Sequence, residues 1–231
     1  MKWLNLCLAC LLLSACAETS VVINGKRIEY ATADQATLSR NTVRIFNSHS
    51  AAICAGTVVN YNDHIIIVTA AHCVRGPRDT SRVVLISTVE NQLALAAPVA
   101  VNKIKDVAVL AIITRSTDDE NFLQCDGLTL QTHHRVGEDV TAVGHPLLYT
   151  NIISKGYVAA SSIGSPTGHI LITSLGYYGC SGGGVFNTDN ELIGVFAHFV
   201  AARDKEQAPF PFITPASDIV KLLEDLFAKE K

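Results

Sequence analysis

Tyr178-Gly179-Cys180-Ser181-Gly182-Gly183-Gly184 sets one serine among glycines, directly ahead of the apolar pair Val185-Phe186. Glycine accepts backbone angles closed to other residues and lets a second molecule approach the chain closely. Such a turn can hold a hydroxyl beside backbone N–H groups, the arrangement a nucleophile and its oxyanion hole require. Ser181 is therefore the candidate nucleophile. The N–H groups of Gly179 and Ser181 are the candidate oxyanion hole.

Two earlier segments can serve this serine. Thr69-Ala70-Ala71-His72-Cys73 follows the apolar run Ile65–Val68. Its small alanines let a tight turn pack and carry His72, and an imidazole, which titrates near ~6.5, suits proton transfer at neutral pH. Lys105-Asp106-Val107-Ala108-Val109-Leu110 places a carboxylate at the head of a run that reads as a strand buried on both faces. A carboxylate there needs a partner, because burying it unpaired is very costly. The Nδ1–H group of His72 would be that partner. Alone, His72 reads as a core histidine and Asp106 as a strand end. In the order His72, Asp106, Ser181 they form the set that acyl transfer needs.

The 231 residues fit one large domain or two small ones, and 48% are apolar, enough to fill a core. The formal net charge is −3, which gives no electrostatic footprint for nucleic acid. No metal motif occurs: His133-His134 are adjacent rather than at ligand spacing, and H-E-x-x-H is absent. We expect no cofactor. Arg75, Arg78 and Arg82 read as a solvated loop, and Gly144-His145-Pro146 as a strand-ending turn without chemistry.

The N-terminus reads as a targeting segment. Lys2 is followed by the apolar stretch Trp3–Leu13, the length of a signal-peptide core and short for a membrane span. Leu13-Ser14-Ala15-Cys16 resembles the bacterial lipobox, which implies acylation at Cys16 and a membrane-anchored chain, on the periplasmic side in a Gram-negative cell. Ala15-Cys16-Ala17 also fits ordinary signal-peptidase cleavage, leaving a periplasmic or secreted protein. Residues 1–16 are thus the signal segment. Residues 17–38, with Val21–Ile23 and an Asn24-Gly25 turn, read as a weakly ordered tether or lead-in. The main body is residues 39–231.

Within the body, short strands recur: Thr42–Phe46, Gly56–Val59 with His64–Thr69, Val83–Val89, Val99–Ile104, Val107–Ile113, Asp139–Val143, Asn151–Ala159, Ile170–Leu175, Gly184–Asn187 and Leu192–Phe199. The acidic stretch Thr114–Asn121 separates two halves. Helical spacing of Ile219, Leu222, Leu223, Leu226 and Phe227 predicts a final helix over residues 215–229, with Thr214 as N-cap and Pro215 at its first position.

T-A-A-H-C, D-V-A-V-L and G-x-S-G-G, in this order, resemble the chymotrypsin-like serine proteases, particularly the bacterial glutamyl-endopeptidase-like and HtrA-like branches. The resemblance covers residues 40–231. It implies an all-β fold of two perpendicular six-stranded β-barrels, about 39–115 and about 126–213, with a C-terminal α-helix. It also implies a serine endopeptidase whose partner is a protein or peptide substrate. The rival reading is a protease-fold binding module without catalysis. The resemblance further implies a disulfide between Cys54 and Cys73 bracing the histidine loop. Cys125 and Cys180 could pair, stay reduced or pack as small apolar residues.

Cys180 departs from the family pattern, where trypsin-like zymogens carry an aspartate before the serine. Activation by a freed N-terminus is therefore not expected. Cys180 is out of register to act as nucleophile itself. Leu175 stands where a charged pocket base would sit, so a Lys/Arg preference is not expected. Leu175, Tyr178, Phe196 and His198, with Tyr177, are the candidate substrate-pocket residues, and Gly194–Phe199 the candidate substrate-pairing edge. A small or apolar residue before the cleaved bond is expected.

Overall fold

Val43 and Ile45 point inward along β3 (Thr42–Asn47) while Phe46 faces solvent, and this period of two recurs from strand to strand. The computed structural model describes residues 20–23, 26–30, 32–76, 83–88, 91–115, 127–146, 149–161, 168–200 and 210–228. Cys16, the expected signal segment, Asn24-Gly25, Arg78, Arg82 and Cys125 lie outside them, as does Ser116–Asn121 of the inter-half stretch.

Two closed six-stranded antiparallel barrels make up the body. The first contains β3, β4 (Ala52–Tyr61), β5 (His64–Thr69), β6 (Val84–Ser87), β7 (Leu93–Asn102) and β8 (Val107–Arg115), in the order β3-β4-β5-β8-β7-β6. The second contains β9 (Asp139–Gly144), β10 (Ile152–Ala160), β11 (Ile170–Ile172), β12 (Gly184–Phe186), β13 (Leu192–Val200) and β14 (Phe210–Pro215), in the order β10-β11-β14-β13-β12-β9. Closure leaves no bare sheet edge within either barrel.

Each barrel has its own core, and a third apolar cluster joins them. Ile45, Val58, Ile67, Ile86 and Leu110 fill the first barrel. Val158, Ile170, Ile172, Val185 and Ile213 fill the second. Val68, Val107 and Val109 of barrel 1 meet Phe186, Leu192 and Val195 of barrel 2 in the third. This accounts for the unbroken apolar run of β8: Ala108 and Leu110 face their barrel, while Val107 and Val109 face the junction.

Two expectations are corrected and one is extended. Within the lead-in, the expected strand at Val21–Ile23 is β1 (Ser20–Ile23), which pairs with β2 (Lys26–Glu29), and helix α1 (Ala33–Arg40) follows. Thr32 caps α1 by accepting from the Gln35 N–H at 3.2 Å, and Leu38 is buried in the inter-barrel cluster. A further strand, β14, precedes the last helix, α2 (Ala216–Phe227), where Pro211 and Pro215 disguise it in the sequence. Thr214 does not cap α2. Pro215 takes that position without a side-chain bond, and the Thr214 hydroxyl donates to the Lys105 carbonyl at 2.5 Å. Ile219 and Leu223 then fix α2 to the inter-barrel cluster.

Candidate active site

Strand β5 ends at Thr69, and Ala71–Val74 form a single 3-10 turn carrying His72. Cys73 in that turn is joined to Cys54 of β4 by a disulfide, with Cα atoms 6.0 Å apart. Asp106 precedes β8 in a left-handed conformation, φ +51°. Its carboxylate grips His72 twice: the His72 backbone N–H donates to Oδ1 at 3.0 Å, and ring Nδ1–H donates to Oδ2 at 2.8 Å. With the Nδ1 proton so engaged, Nε2 is left as the basic nitrogen.

Barrel 2 supplies the serine through two consecutive turns. The Cys180 N–H donates to the Tyr177 carbonyl at 2.9 Å, and the Gly183 N–H to the Cys180 carbonyl at 2.7 Å. Gly179 and Gly182 occupy the third position of each turn, with φ of +99° and +82°. A Cβ on Gly179 would lie 2.2 Å from the His145 carbonyl oxygen, and one on Gly182 would lie 2.2 Å from the Ala55 carbonyl oxygen and from Thr69 Oγ1. Neither position admits a side chain. The second turn is tied to both barrels: the Ala55 N–H donates to the Ser181 carbonyl at 2.8 Å, and the Gly182 N–H to the Phe196 carbonyl at 2.7 Å. Among the described residues the N–H groups of Gly179 and Ser181 have no acceptor.

His72, Gly179, Ser181 and Tyr178 line one cleft of about 480 Å³, together with Ala51–Cys54, His145 and His198. A small pocket of about 10 Å³ opens beside Ser181, walled by Gly176, Tyr177, Phe196, His198 and Pro211. Two of its walls touch closely: a Cβ on Gly176 would lie 2.5 Å from Pro211 Cβ. Leu175, expected at the base, is 62% exposed and lines neither space. Tyr178 is 72% exposed on the cleft rim. Burial, and next the neighbouring His169, hold the His198 imidazole below its ordinary pKa.

Cys180 is a free, buried thiol in the core of barrel 2. Burial raises its pKa, so it remains a protonated thiol and packs as a small apolar residue. Cys54, His72 and Cys73 lie close enough to hold a metal, but both sulfurs are committed to the disulfide.

Sequence reading gave His145 no role. It is buried and lines the cleft, its carbonyl abuts Gly179, and its Nδ1 accepts the Asn151 N–H at 3.1 Å. Desolvation, aided by Arg44, lowers its pKa to about 4. The tight packing of Gly179 on the preceding loop was the missing signal, and it is a property of the fold rather than of local sequence.

A family model described as a trypsin-like peptidase domain matches residues 54–195, from the disulfide strand through Ser181 into β13. The chain belongs to the trypsin-like peptidase family. It is 25% identical over 179 residues to the serine protease Do-like HtrA of Bacillus subtilis (strain 168), covering 73% of this chain and 37% of that protein. The chain thus spans well under half the length of this curated relative. The fold is also that of the serine endoprotease from Yersinia pestis, with a TM-score of 0.66 and 18% identity over 88% of this chain and 70% of that one.

Proposed function

We propose that this peptidase-family chain is a serine endopeptidase acting through His72, Asp106 and Ser181. The observation that carries the reading is the double grip of Asp106 on His72, on a cleft that also holds Ser181. In the proposed reaction, His72 Nε2 takes the Ser181 proton as Oγ attacks the substrate carbonyl. The carbonyl oxygen becomes an oxyanion received by the N–H groups of Gly179 and Ser181. Asp106 stabilises the imidazolium without taking its proton. His72 then protonates the leaving amine, an acyl-enzyme remains, and water activated by His72 hydrolyses it.

The narrow wall of Gly176, Tyr177, Phe196 and Pro211 beside Ser181, with no charged side chain in it, supports a small apolar residue before the cleaved bond. We further propose that the chain is exported and lipid-anchored through Cys16, which fits the disulfide in its body. Digestion of β-casein, with cleavage sites mapped by mass spectrometry, tests the activity. Cuts after small residues by the wild type, absent in Ser181→Ala, are expected; equal digestion by both proteins would refute the assignment. Radiolabelled fatty acid should enter the wild type and not Cys16→Ser.

A further inference from the structure

His72 and Asp106 belong to barrel 1, and Ser181 to barrel 2. The turn that carries the carboxylate is itself held from across that division. Strand β8 does not hold Asp106, because its ladder begins only at Val107. Asp106 itself sits in the left-handed region, which aspartate enters more readily than most residues with a side chain and which its neighbours here reinforce.

The reinforcement converges on Lys105. Its N–H donates to Asn102 Oδ1 at 3.0 Å, closing the turn between β7 and β8. Its carbonyl accepts twice from barrel 2, from Thr214 Oγ1 at 2.5 Å and from His169 Nε2 at 3.1 Å. Its ammonium pairs with Asp218 of α2 at 3.0 Å. Thr214 and His169 are both buried, so neither exchanges these bonds readily for water. The residue directly before Asp106 is therefore held from the opposite barrel and from the C-terminal helix at once. The His169 ring also meets the His198 ring edge-on, with centroids 4.7 Å apart, and His198 lines the cleft.

Resting on the triad reading above, we propose that Thr214 and His169 are positioning residues. They hold the Lys105 carbonyl from barrel 2 and thereby set the turn that presents Asp106 to His72. Thr214 lines neither cleft nor pocket, and its hydroxyl is spent on that carbonyl. Displacing an orienting group by about an ångström can cost on the order of a hundredfold in rate while leaving substrate binding intact.

Thr214→Val removes the hydroxyl at nearly constant volume, and Thr214→Ser restores it without the methyl group. Two readouts are compared in wild type and both variants. One is the downfield proton NMR resonance of His72 Nδ1–H, assigned by its loss in His72→Gln. The other is steady-state hydrolysis of succinyl-Ala-Ala-Ala-p-nitroanilide. Thr214→Val should shift or broaden the resonance and lower kcat about tenfold or more with KM within about twofold. Thr214→Ser should recover both. An unchanged resonance in Thr214→Val, or a loss that Thr214→Ser does not recover, overturns the proposal. A wild type that shows the resonance but never cleaves any substrate would instead refute the peptidase reading. The NMR comparison judges the clamp in either case.

Discussion

Both carboxylate oxygens of Asp106 accept from His72, one from its backbone and one from its ring. The carboxylate therefore fixes the tautomer as well as the position of the imidazole. Asp106→Asn would keep the size of the side chain and replace an acceptor with a donor. The ring would then present the wrong tautomer to Ser181. Casein hydrolysis should fall about 10⁴-fold while the thermal unfolding midpoint changes little. Residual activity near that of the wild type would mean that Asp106 does not orient the base. His145 gives a second prediction at this scale. Its folded-state pKa of about 4 lies below the ordinary value of 6.5 because burial, then Arg44, penalise the imidazolium. The unfolded chain binds this proton first as pH falls. The stability tied to a neutral His145 is thus complete above about 6.5 and declines as pH drops towards 4. The loss is on the order of 3 kcal/mol. Urea midpoints of wild type and His145→Gln, measured from pH 7 to pH 4, should diverge in slope, with the wild type steeper. Parallel slopes would show that His145 is not excluded from protonation.

Helix α1 is the element that most alters the picture drawn from sequence. Thr32-Ala33-Asp34-Gln35 carries the S/T-x-x-E/Q pattern of a capped helix start, and Arg40 lies in the last turn. The signal was present but local. What makes the helix persist is Leu38, which reaches the inter-barrel cluster, and Ser39, whose carbonyl accepts from Asn151 Nδ2 at 2.9 Å. Leu38→Ala should therefore destabilise the whole domain by about 2–5 kcal/mol, as expected for a buried leucine. A denaturant titration checks this, and a change below about 0.5 kcal/mol would return the lead-in to the status of a tether. Strand β14 shows the opposite limit of reading by pattern. Two prolines interrupt it, and a strand with proline resembles a loop until its pairing with β13 is seen. Long apolar runs such as β8 were legible because a strand buried on both faces has no polar face to hide.

Across the whole molecule, the order of His72, Asp106 and Ser181 was readable because each sits in a short stretch whose local conformation its neighbours dictate: alanines, a buried strand, glycines. The pocket was less readable. Its walls come from Gly176, Phe196 and Pro211, which are remote in sequence and meet only when β13 and β14 pair. Leu175 was expected at its base by analogy of position, yet the chain turns it to solvent. The same reasoning covers the Lys105 clamp, whose members come from the β7–β8 turn, the residue before β11, β14 and α2. Closure of two barrels about one apolar cluster brings such residues together, and no window of sequence contains them.

In the proposed reaction Ser181 is the activated nucleophile, while Cys180 beside it is an inert core thiol. A fluorophosphonate probe followed by peptide mass spectrometry tests this directly. The expected result is a covalent adduct on Ser181 of the wild type, with no labelling of Ser181→Ala and full labelling of Cys180→Ala. An unlabelled wild type, or an adduct on a residue other than Ser181, would contradict it.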